Sequence, residues 1–230
     1  MDSRIIKIIA VISMLIDHIG AHLFPEQTWL RAIGRIAFPL FCFLIAYGCI
    51  KTRNINKFFL RLFIFAFISQ ILIFLARWEI SFGWLNVFFT LASGVLCIIL
   101  LQLIIKHNKK DFLPLIIIGS LVAILVIFTF AETFRFDYGI PGILLIILFF
   151  FSLERFEKNW KLLTLPILTL FNLLMFIIGH FPTQWYSMLA ILFLLGFKDR
   201  KLKISKWERW AFYIFYPLHI IILILISRFI

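Results

Sequence analysis

The chain has 230 residues, of which 63% are hydrophobic, 18% aromatic and only 15% charged, and its formal net charge is +12. Soluble domains average about 45–50% apolar and about 25% charged residues, and a soluble domain of this size has too little interior to bury so much apolar surface. The composition therefore excludes a soluble enzyme, a DNA-binding protein and a disordered tail, and it predicts a polytopic membrane protein.

Apolar runs set the predicted elements, because a transmembrane helix needs roughly 20 mostly apolar residues, with a range of about 17–25. In chain order the sequence predicts about nine transmembrane helices, of which the sixth and eighth are short: Ile5–Phe24, Ile33–Ile50, Phe58–Ala76, Leu85–Ile105, Phe112–Ala131, Gly139–Leu153, Leu162–Ile178, Trp185–Phe197 and Trp210–Ile226. Backbone groups in lipid must be hydrogen-bonded internally. We therefore expect an all-α membrane helix bundle that forms one domain over residues 1–230.

The basic residues predict the orientation of this bundle. With the N-terminus in the cytoplasm, all but five of the 23 Lys and Arg residues fall in cytoplasmic segments; the exceptions are Arg31, Arg35, Arg77, Arg135 and Arg228. This asymmetry follows the positive-inside rule and indicates a multi-pass protein of the inner or plasma membrane. It also explains the net charge without a nucleic-acid partner. Three cysteines, Cys42, Cys49 and Cys97, lie inside apolar runs and predict no disulfide.

The first helix resembles a signal peptide at its start, where Arg4 and Lys7 precede an apolar run. No small-residue cleavage site follows, and Asp17 and His18 interrupt the run, so we expect a retained helix. An ionisable side chain at the centre of a transmembrane helix costs roughly 2.5–3.5 kcal/mol on insertion scales, so each one is a candidate functional residue. Arg35 of the second helix is a predicted partner for Asp17, since pairing keeps both groups charged.

Further polar residues fall at the predicted outer ends of other helices. They form a predicted outer-facing basin with the residues of the first two helices: Asp17, His18, His22, Arg35, Asn86, Thr90, Asp137 and His180. The last helix adds Tyr216 and, near mid-bilayer, His219. His18 and His22 are spaced for a shared metal, but no third ligand is evident, so no metal is expected. Helix packing and simple solvation remain alternative roles for these residues.

Five strings in chain order carry a family resemblance: SMLIDHIGA, LRAIGRIAFPLFCFLIAYG, LNVFFTLASG, DYGIPG and WAFYIFYPLHIIIL. Together they resemble the TraX family, which is named for a conjugal-transfer protein that N-acetylates pilin at the membrane. A more distant likeness is to the acyltransferase-3 superfamily of membrane enzymes, whose essential first-helix histidine would match His18. The sequence departs from that superfamily at Tyr47-Gly48, where Ser-Gly is frequent.

The resemblance implies transfer of acetyl from cytoplasmic acetyl-CoA to an amine or hydroxyl on the outer face, in a pilin-like N-terminus or another cell-envelope molecule. The basic stretch from Lys198 to Arg209, with Lys198, Arg200 and Lys201, is then expected to attract the CoA phosphates. His18 is the expected general base or acetyl acceptor, with Asp17 and Arg35 holding its surroundings. Asn86 or Tyr216 would stabilise the oxyanion, and the remaining expected substrate contacts are His22, Thr90, Asp137 and His219. A small transporter or flippase and a non-catalytic membrane scaffold remain alternatives.

Overall fold

The computed structural model describes residues 1–77, 84–106, 113–156, 159–179, 182–200 and 205–229. The helices in these ranges are α1 (Ser3–His22), α2 (Thr28–Gly34), α3 (Ala37–Lys51), α4 (Ile55–Arg77), α5 (Val87–Lys106), α6 (Leu113–Thr133), α7 (Gly139–Arg155), α8 (Trp160–Ile177), a 3-10 helix (Pro182–Leu189), α9 (Ala190–Leu195) and α10 (Lys206–Ile226). Across the described ranges the regular structure is helical, and strand character is confined to an isolated bridge between Leu85 and Phe136.

The predicted all-α membrane bundle is confirmed, since each of the nine predicted runs lies mainly in helix. Among the described residues, six helical segments are long and apolar enough to cross a membrane, with α2 and α3 counted together as Thr28–Lys51. The others are α1, α4, α6, α8 and Val87–Ile105 of α5. The α7 helix, the 3-10 helix with α9, and the apolar part of α10 are shorter. The total of nine spans therefore stays a prediction.

The second predicted span is broken where its sequence contains a proline. α2 ends at Gly34, Arg35 and Ile36 form a turn, and α3 begins at Ala37. Pro39 is the third residue of α3, where its missing N–H costs no helical hydrogen bond. The break places Arg35 at the junction of the two helices, beside the C-terminal half of α1.

The centre of the bundle is built by α3, α5 and α7. Phe43, Phe149 and Phe150 are fully buried there, and the Phe43 and Phe149 rings meet edge to face at 5.8 Å. By contrast, α6 packs at the periphery against α5 and α7 and leaves Leu115 and Leu125 two-thirds exposed. Such an apolar surface suits contact with lipid and would be costly in water.

Hydrogen bonds and ion pairs gather the predicted cytoplasmic segments at one end of the bundle, here called the basic end. The Met1 ammonium donates to the carbonyl of Gly196 at 2.6 Å, and the N–H of Lys198 donates to the carbonyl of Met1 at 2.7 Å. Lys51 and Asp199 form an ion pair at 2.6 Å. The start of α1 and the ends of α3 and α9 therefore lie together, as strict alternation of the helices requires.

At the opposite end, the segments that precede α5 and α7 are tied by backbone bonds. The N–H of Asp137 donates to the carbonyl of Leu85 at 3.0 Å, and the N–H of Leu85 donates to the carbonyl of Arg135 at 3.4 Å. Tyr138, just before α7, has φ 65°, a left-handed conformation that is rare for a bulky residue. The Tyr138 ring lies flat on Phe38 of α3, with centroids 3.6 Å apart, so packing holds the unusual turn in place.

Candidate functional site: a polar centre on a through-bundle cavity

A cavity of about 1200 Å³ runs along α1 between the two ends of the bundle. Its walls come from α1, α2, α3, α4, α10 and the start of α5. At the basic end it is lined by charged residues that include Arg4 and Lys51, and at the opposite end by His22, Arg31 and Arg77. The middle is mainly apolar. The lining of this cavity therefore includes residues from both ends of the bundle.

One stripe of α1 lines the cavity over its whole length. The lining residues Arg4, Lys7, Val11, Met14, His18 and Ala21 follow one another at alternating intervals of three and four. This spacing keeps side chains on one helix face. The same signal is present in the sequence, and it would have assigned Arg4 and Lys7 to the site. The predictions above used them only for topology.

His18 and His219 form a hydrogen-bonded pair at the polar centre. His18 Nδ1 lies 2.6 Å from His219 Nε2, and the two ring planes differ by 11°. The ring centroids are 4.9 Å apart, which is the N–N distance plus the distance from each ring centre to its own nitrogen. The two rings therefore meet edge to edge and do not lie on top of each other. His18 lines the cavity, whereas His219 lies behind it and is 5% exposed.

The backbone sets the tautomers of this pair. His219 Nδ1 lies 2.7 Å from the carbonyl oxygen of Phe215, which can only accept, so Nδ1 carries the hydrogen. In the neutral ring, His219 Nε2 is then an acceptor, and His18 Nδ1 must donate to it. His18 Nε2 then carries the lone pair, and it has no hydrogen-bond partner among the described residues. The arrangement therefore presents a basic nitrogen on a residue that lines the cavity.

Asp17 is held by two arginines beside this pair. Arg31 donates to Asp17 Oδ2 at 2.6 Å and to the Asp17 carbonyl at 2.9 Å. Arg35 lies farther away, with Nη2 3.7 Å from Asp17 Oδ1, and donates from Nη1 to the Tyr138 hydroxyl at 3.2 Å. The predicted Asp17–Arg35 pair is therefore present, but Arg31 makes the shorter contact. Among the described residues, Asp17 Oδ1 and Arg35 Nε are buried without a hydrogen-bond partner.

Asn86 and Thr90 are positioned by hydrogen bonds to neighbouring helices and to the segment before α7. The Asn86 amide donates to the Ala66 carbonyl and to Gln70 Oε1, each at 2.9 Å, while Asn86 Oδ1 accepts from the Phe88 N–H at 3.0 Å. The Thr90 hydroxyl donates to the Asp137 carbonyl. These bonds use the Asn86 side chain to start α5 and join α4 to α5. A role for either side chain in substrate contact stays a prediction.

Three other predicted site residues lie around the polar centre. The Tyr216 and His22 rings each lie with their centroids 6.3 Å from that of His18, and Tyr216, His22 and Asp137 all line the cavity. Burial raises the pKa of Asp137 to about 6, partly offset by the nearby Arg35. Within the described ranges, no three His, Cys, Asp or Glu residues are grouped to hold a metal ion.

Two of the three predicted phosphate-binding residues, Lys198 and Arg200, lie apart from this cavity. Lys198 and Arg200 are exposed at the basic end, outside the cavity lining. Lys201, and likewise His180 of the predicted basin, lie outside the described residues. The cavity opening at the basic end is lined instead by Arg4, Lys7, Lys51, Arg53 and Arg61, together called the basic mouth below.

The long apolar helices define a multi-pass helical membrane protein, with partly buried ion pairs and a pair of histidines beside a cavity between the helices. The chain matches the TraX protein family over residues 2–227, and it belongs to that family. The predicted TraX resemblance is thereby confirmed. The more distant acyltransferase-3 likeness is outside this match and stays a prediction.

Two relatives extend the comparison. The probable fimbrial assembly protein FimC, serogroup H1, of Dichelobacter nodosus is 28% identical over 250 aligned residues, covering 95% of this chain and 92% of that protein. An uncharacterized protein of Rickettsia prowazekii (strain Madrid E) is 57% identical over 44 residues, which is 19% of this chain and 18% of that protein. No solved structure matches the chain.

Proposed function

We propose that this protein is a membrane acetyltransferase that moves acetyl from cytoplasmic acetyl-CoA to an amine or hydroxyl on the other side of the membrane. The observation that carries the proposal is the His18–His219 pair, which leaves a free basic nitrogen on a cavity-lining histidine. Acetyl transfer needs such a base, because an attacking amine or hydroxyl must lose a proton. Membership of the TraX family supports the same activity.

The proposed step is direct transfer within the cavity. The acceptor nitrogen or oxygen attacks the thioester carbonyl carbon, and His18 Nε2 takes the acceptor proton. The new C–N or C–O bond forms as the C–S bond breaks, and the leaving thiolate takes up the proton from His18. Charge on the transient imidazolium is stabilised through His219 and the Phe215 carbonyl. A second route, in which His18 itself carries the acetyl group, uses the same nitrogen.

Arg35 is the proposed oxyanion donor. Arg35 lines the cavity, and its Nε–H is buried without a hydrogen-bond partner among the described residues, so an oxyanion would reach this donor only after a shift of the guanidinium. An unsatisfied donor at a reaction centre is suited to charge that develops only in the transition state. Tyr138 and Asp17 would fix the orientation of the guanidinium. In this proposal Arg35 takes the oxyanion role that the sequence suggested for Asn86, because the amide of Asn86 already donates to Ala66 and Gln70.

The acceptor is proposed to be a pilin-like N-terminus or another cell-envelope molecule. The support is the family and the relative from D. nodosus, which is described as a probable fimbrial assembly protein. The proposal has such a group enter at the end of the cavity that is lined by His22, Arg31 and Arg77.

Histidine variants test the proposal. We expect His18→Ala to lower the rate of acetyl transfer by about 10²–10⁴-fold, the usual contribution of a general base. His219→Ala removes the group that sets the His18 tautomer, and about 10–100-fold should be lost, as for other residues that orient a reacting imidazole. His219→Gln keeps a carbonyl oxygen that accepts from His18 Nδ1 and should restore part of the rate.

The measurement is release of CoA thiol from acetyl-CoA by the purified full chain, with envelope peptides and glycans offered as acceptors. Thermal unfolding of each variant serves as the folding control. A folded His18→Ala protein with wild-type turnover would refute the mechanism. Equal loss in His219→Ala and His219→Gln would refute the tautomer role.

The cavity also favours a second candidate, a small transporter or flippase, because its lining includes residues from both ends of the bundle. Ionisable residues inside a membrane are common along transport paths. The two candidates differ in one readout: transport leaves the thioester intact, whereas acetyl transfer releases CoA thiol. Thiol release that depends on His18 would exclude simple transport.

A further inference from the structure

The basic mouth concentrates cationic side chains where the cavity opens. Arg4 binds both oxygens of Glu208, at 2.7 and 3.1 Å, and Lys51 pairs with Asp199. These carboxylates hold two of the five cations in fixed positions. In the described part of the chain, Arg53 and Arg61 form no ion pair, although Arg61 lies over the Phe58 ring. The mouth therefore has positive charge in excess of its acidic partners.

The distance from this mouth to His18 can be read from α1. A helix rises about 1.5 Å per residue, so His18 lies about 16 Å beyond Lys7 and about 21 Å beyond Arg4. The cavity between them is lined mainly by apolar residues, among them Val11, Phe41, Leu44 and Leu91. A ligand with charge at the mouth and a reacting carbon at His18 must therefore carry a long, uncharged arm.

A pantetheine arm has the required length. About 14 bonds separate its terminal phosphorus from the thioester carbonyl carbon, and an extended chain advances about 1.1–1.2 Å per bond, which gives about 16 Å. In acetyl phosphate a single oxygen joins the phosphorus to the carbonyl. A phosphate bound at the mouth would then leave that carbonyl on the order of 16 Å from His18.

We propose that the basic mouth binds the phosphates of a long-armed acyl thioester of the coenzyme A type, and that its distance from His18 selects this donor over short acyl phosphates. The inference rests on the proposed function and names its donor site. Lys7 is the cation of the mouth nearest to His18 along α1 and sets the distance of about 16 Å. Arg53 and Arg61 supply the unpaired charge, while Arg4 and Lys51 shape the opening. A phosphate at the head of an anionic lipid offers the same chemistry, so the experiment must separate the two sources.

Two double variants with the same loss of charge provide the comparison. Arg53→Ala with Arg61→Ala removes two cations of the mouth, whereas Lys198→Ala with Arg200→Ala removes two exposed cations at the same end but outside the cavity lining. The probes are acetyl-CoA and S-acetylpantetheine, which share the arm and the thioester but differ in the phosphates. Binding of each probe is measured with the full chain in nanodiscs of zwitterionic lipid.

We expect the mouth variant to raise the Kd of acetyl-CoA about tenfold, as loss of charged hydrogen bonds to phosphate implies. The Kd of S-acetylpantetheine should stay unchanged, and the Lys198/Arg200 variant should match wild type with both probes. If the mouth variant does not fold, the wild-type protein still tests the proposal. Salt screens interactions between charges, so rising salt should weaken binding of acetyl-CoA and leave binding of S-acetylpantetheine unchanged.

Several results would overturn the inference. Equal binding of acetyl-CoA by wild type and the mouth variant would do so, as would a tenfold loss in the Lys198/Arg200 variant. Strong competition by phosphatidylglycerol in the nanodisc would assign the mouth to lipid headgroups. If wild type binds neither probe, the proposed acetyltransferase function itself fails, which is distinct from failure of the mouth alone.

Discussion

Gly34→Ala is the sharpest test of the packing around Asp17. A Cβ at position 34 would lie 2.5 Å from Asp17 Cγ, and even closer to Asp17 Cβ and Oδ1, whereas ordinary contacts begin at 3.4 Å. Asp17 would have to move by about 1 Å, and its bonds to Arg31 resist this movement. Overpacking costs about 1–3 kcal/mol, and a lost hydrogen bond to a charged group about 1.5–3 kcal/mol. We therefore expect a loss of about 3–6 kcal/mol.

The assay is thermal unfolding of the purified protein in detergent, with release of CoA thiol as the functional readout. For a chain of this length the midpoint should fall on the order of 10 °C. Gly119→Ala is the matched control, because Gly119 is also helical and a Cβ there meets nothing within 4 Å. It should leave stability unchanged or slightly higher, since Ala favours helix over Gly by about 1 kcal/mol. Equal midpoints for Gly34→Ala and wild type would refute the close contact between α1 and α2.

Two further predictions concern polar residues of the frame. Asn86→Ala should destabilise the protein by about 1–3 kcal/mol, because it removes the acceptor of the Phe88 N–H at the start of α5 and the side-chain bonds to Ala66 and Gln70, and thermal unfolding measures the loss. Unchanged stability with lost activity would instead make Asn86 a substrate contact. Burial raises the pKa of Asp137 to about 6, so its stabilising contribution is full below about pH 4 and is lost as pH rises through 6. Asp137→Asn should flatten this pH dependence of the unfolding midpoint, and an unaltered slope would contradict it.

The helices follow from the sequence because one local property controls them. In lipid, a long apolar run can satisfy its backbone hydrogen bonds within itself only as a helix. The position and length of each apolar run therefore predict a helix there. The break after Arg35 is also local, since Pro39 weakens the preceding helical bonding. What the sequence does not predict is the course of the connections. Arg31 contacts Asp17 because the chain reverses between α1 and α2, and no periodicity reports the direction of that turn.

The sequence predicts Asp17, His18, Arg35 and His219 one by one as candidate site residues, but it does not predict how they contact one another. Periodicity places His18 and His219 on a face of their own helices, and they are 201 positions apart in the chain. Which faces meet depends on how α1 and α10 pack, so a histidine pair cannot be predicted from either helix alone.

The basic mouth was missed for a different reason. Arg4 and Lys7 of the basic mouth lie on the same face of α1 as His18. The sequence prediction instead chose the stretch after Lys198, because it contains the most basic residues.

The hydrogen bonds of the polar side chains distinguish residues that stabilise the fold from residues that are candidates for a reaction. Buried polar atoms are costly unless they are paired, so a residue whose side-chain bonds are all internal is explained by the fold itself. Asn86 is such a residue. His18 and Arg35 differ, because His18 Nε2 keeps a lone pair once the tautomers are set and Arg35 Nε keeps an unpaired N–H among the described residues. Both residues line the same cavity, and they are therefore the residues to which the proposed acetyl transfer assigns the base and the oxyanion donor.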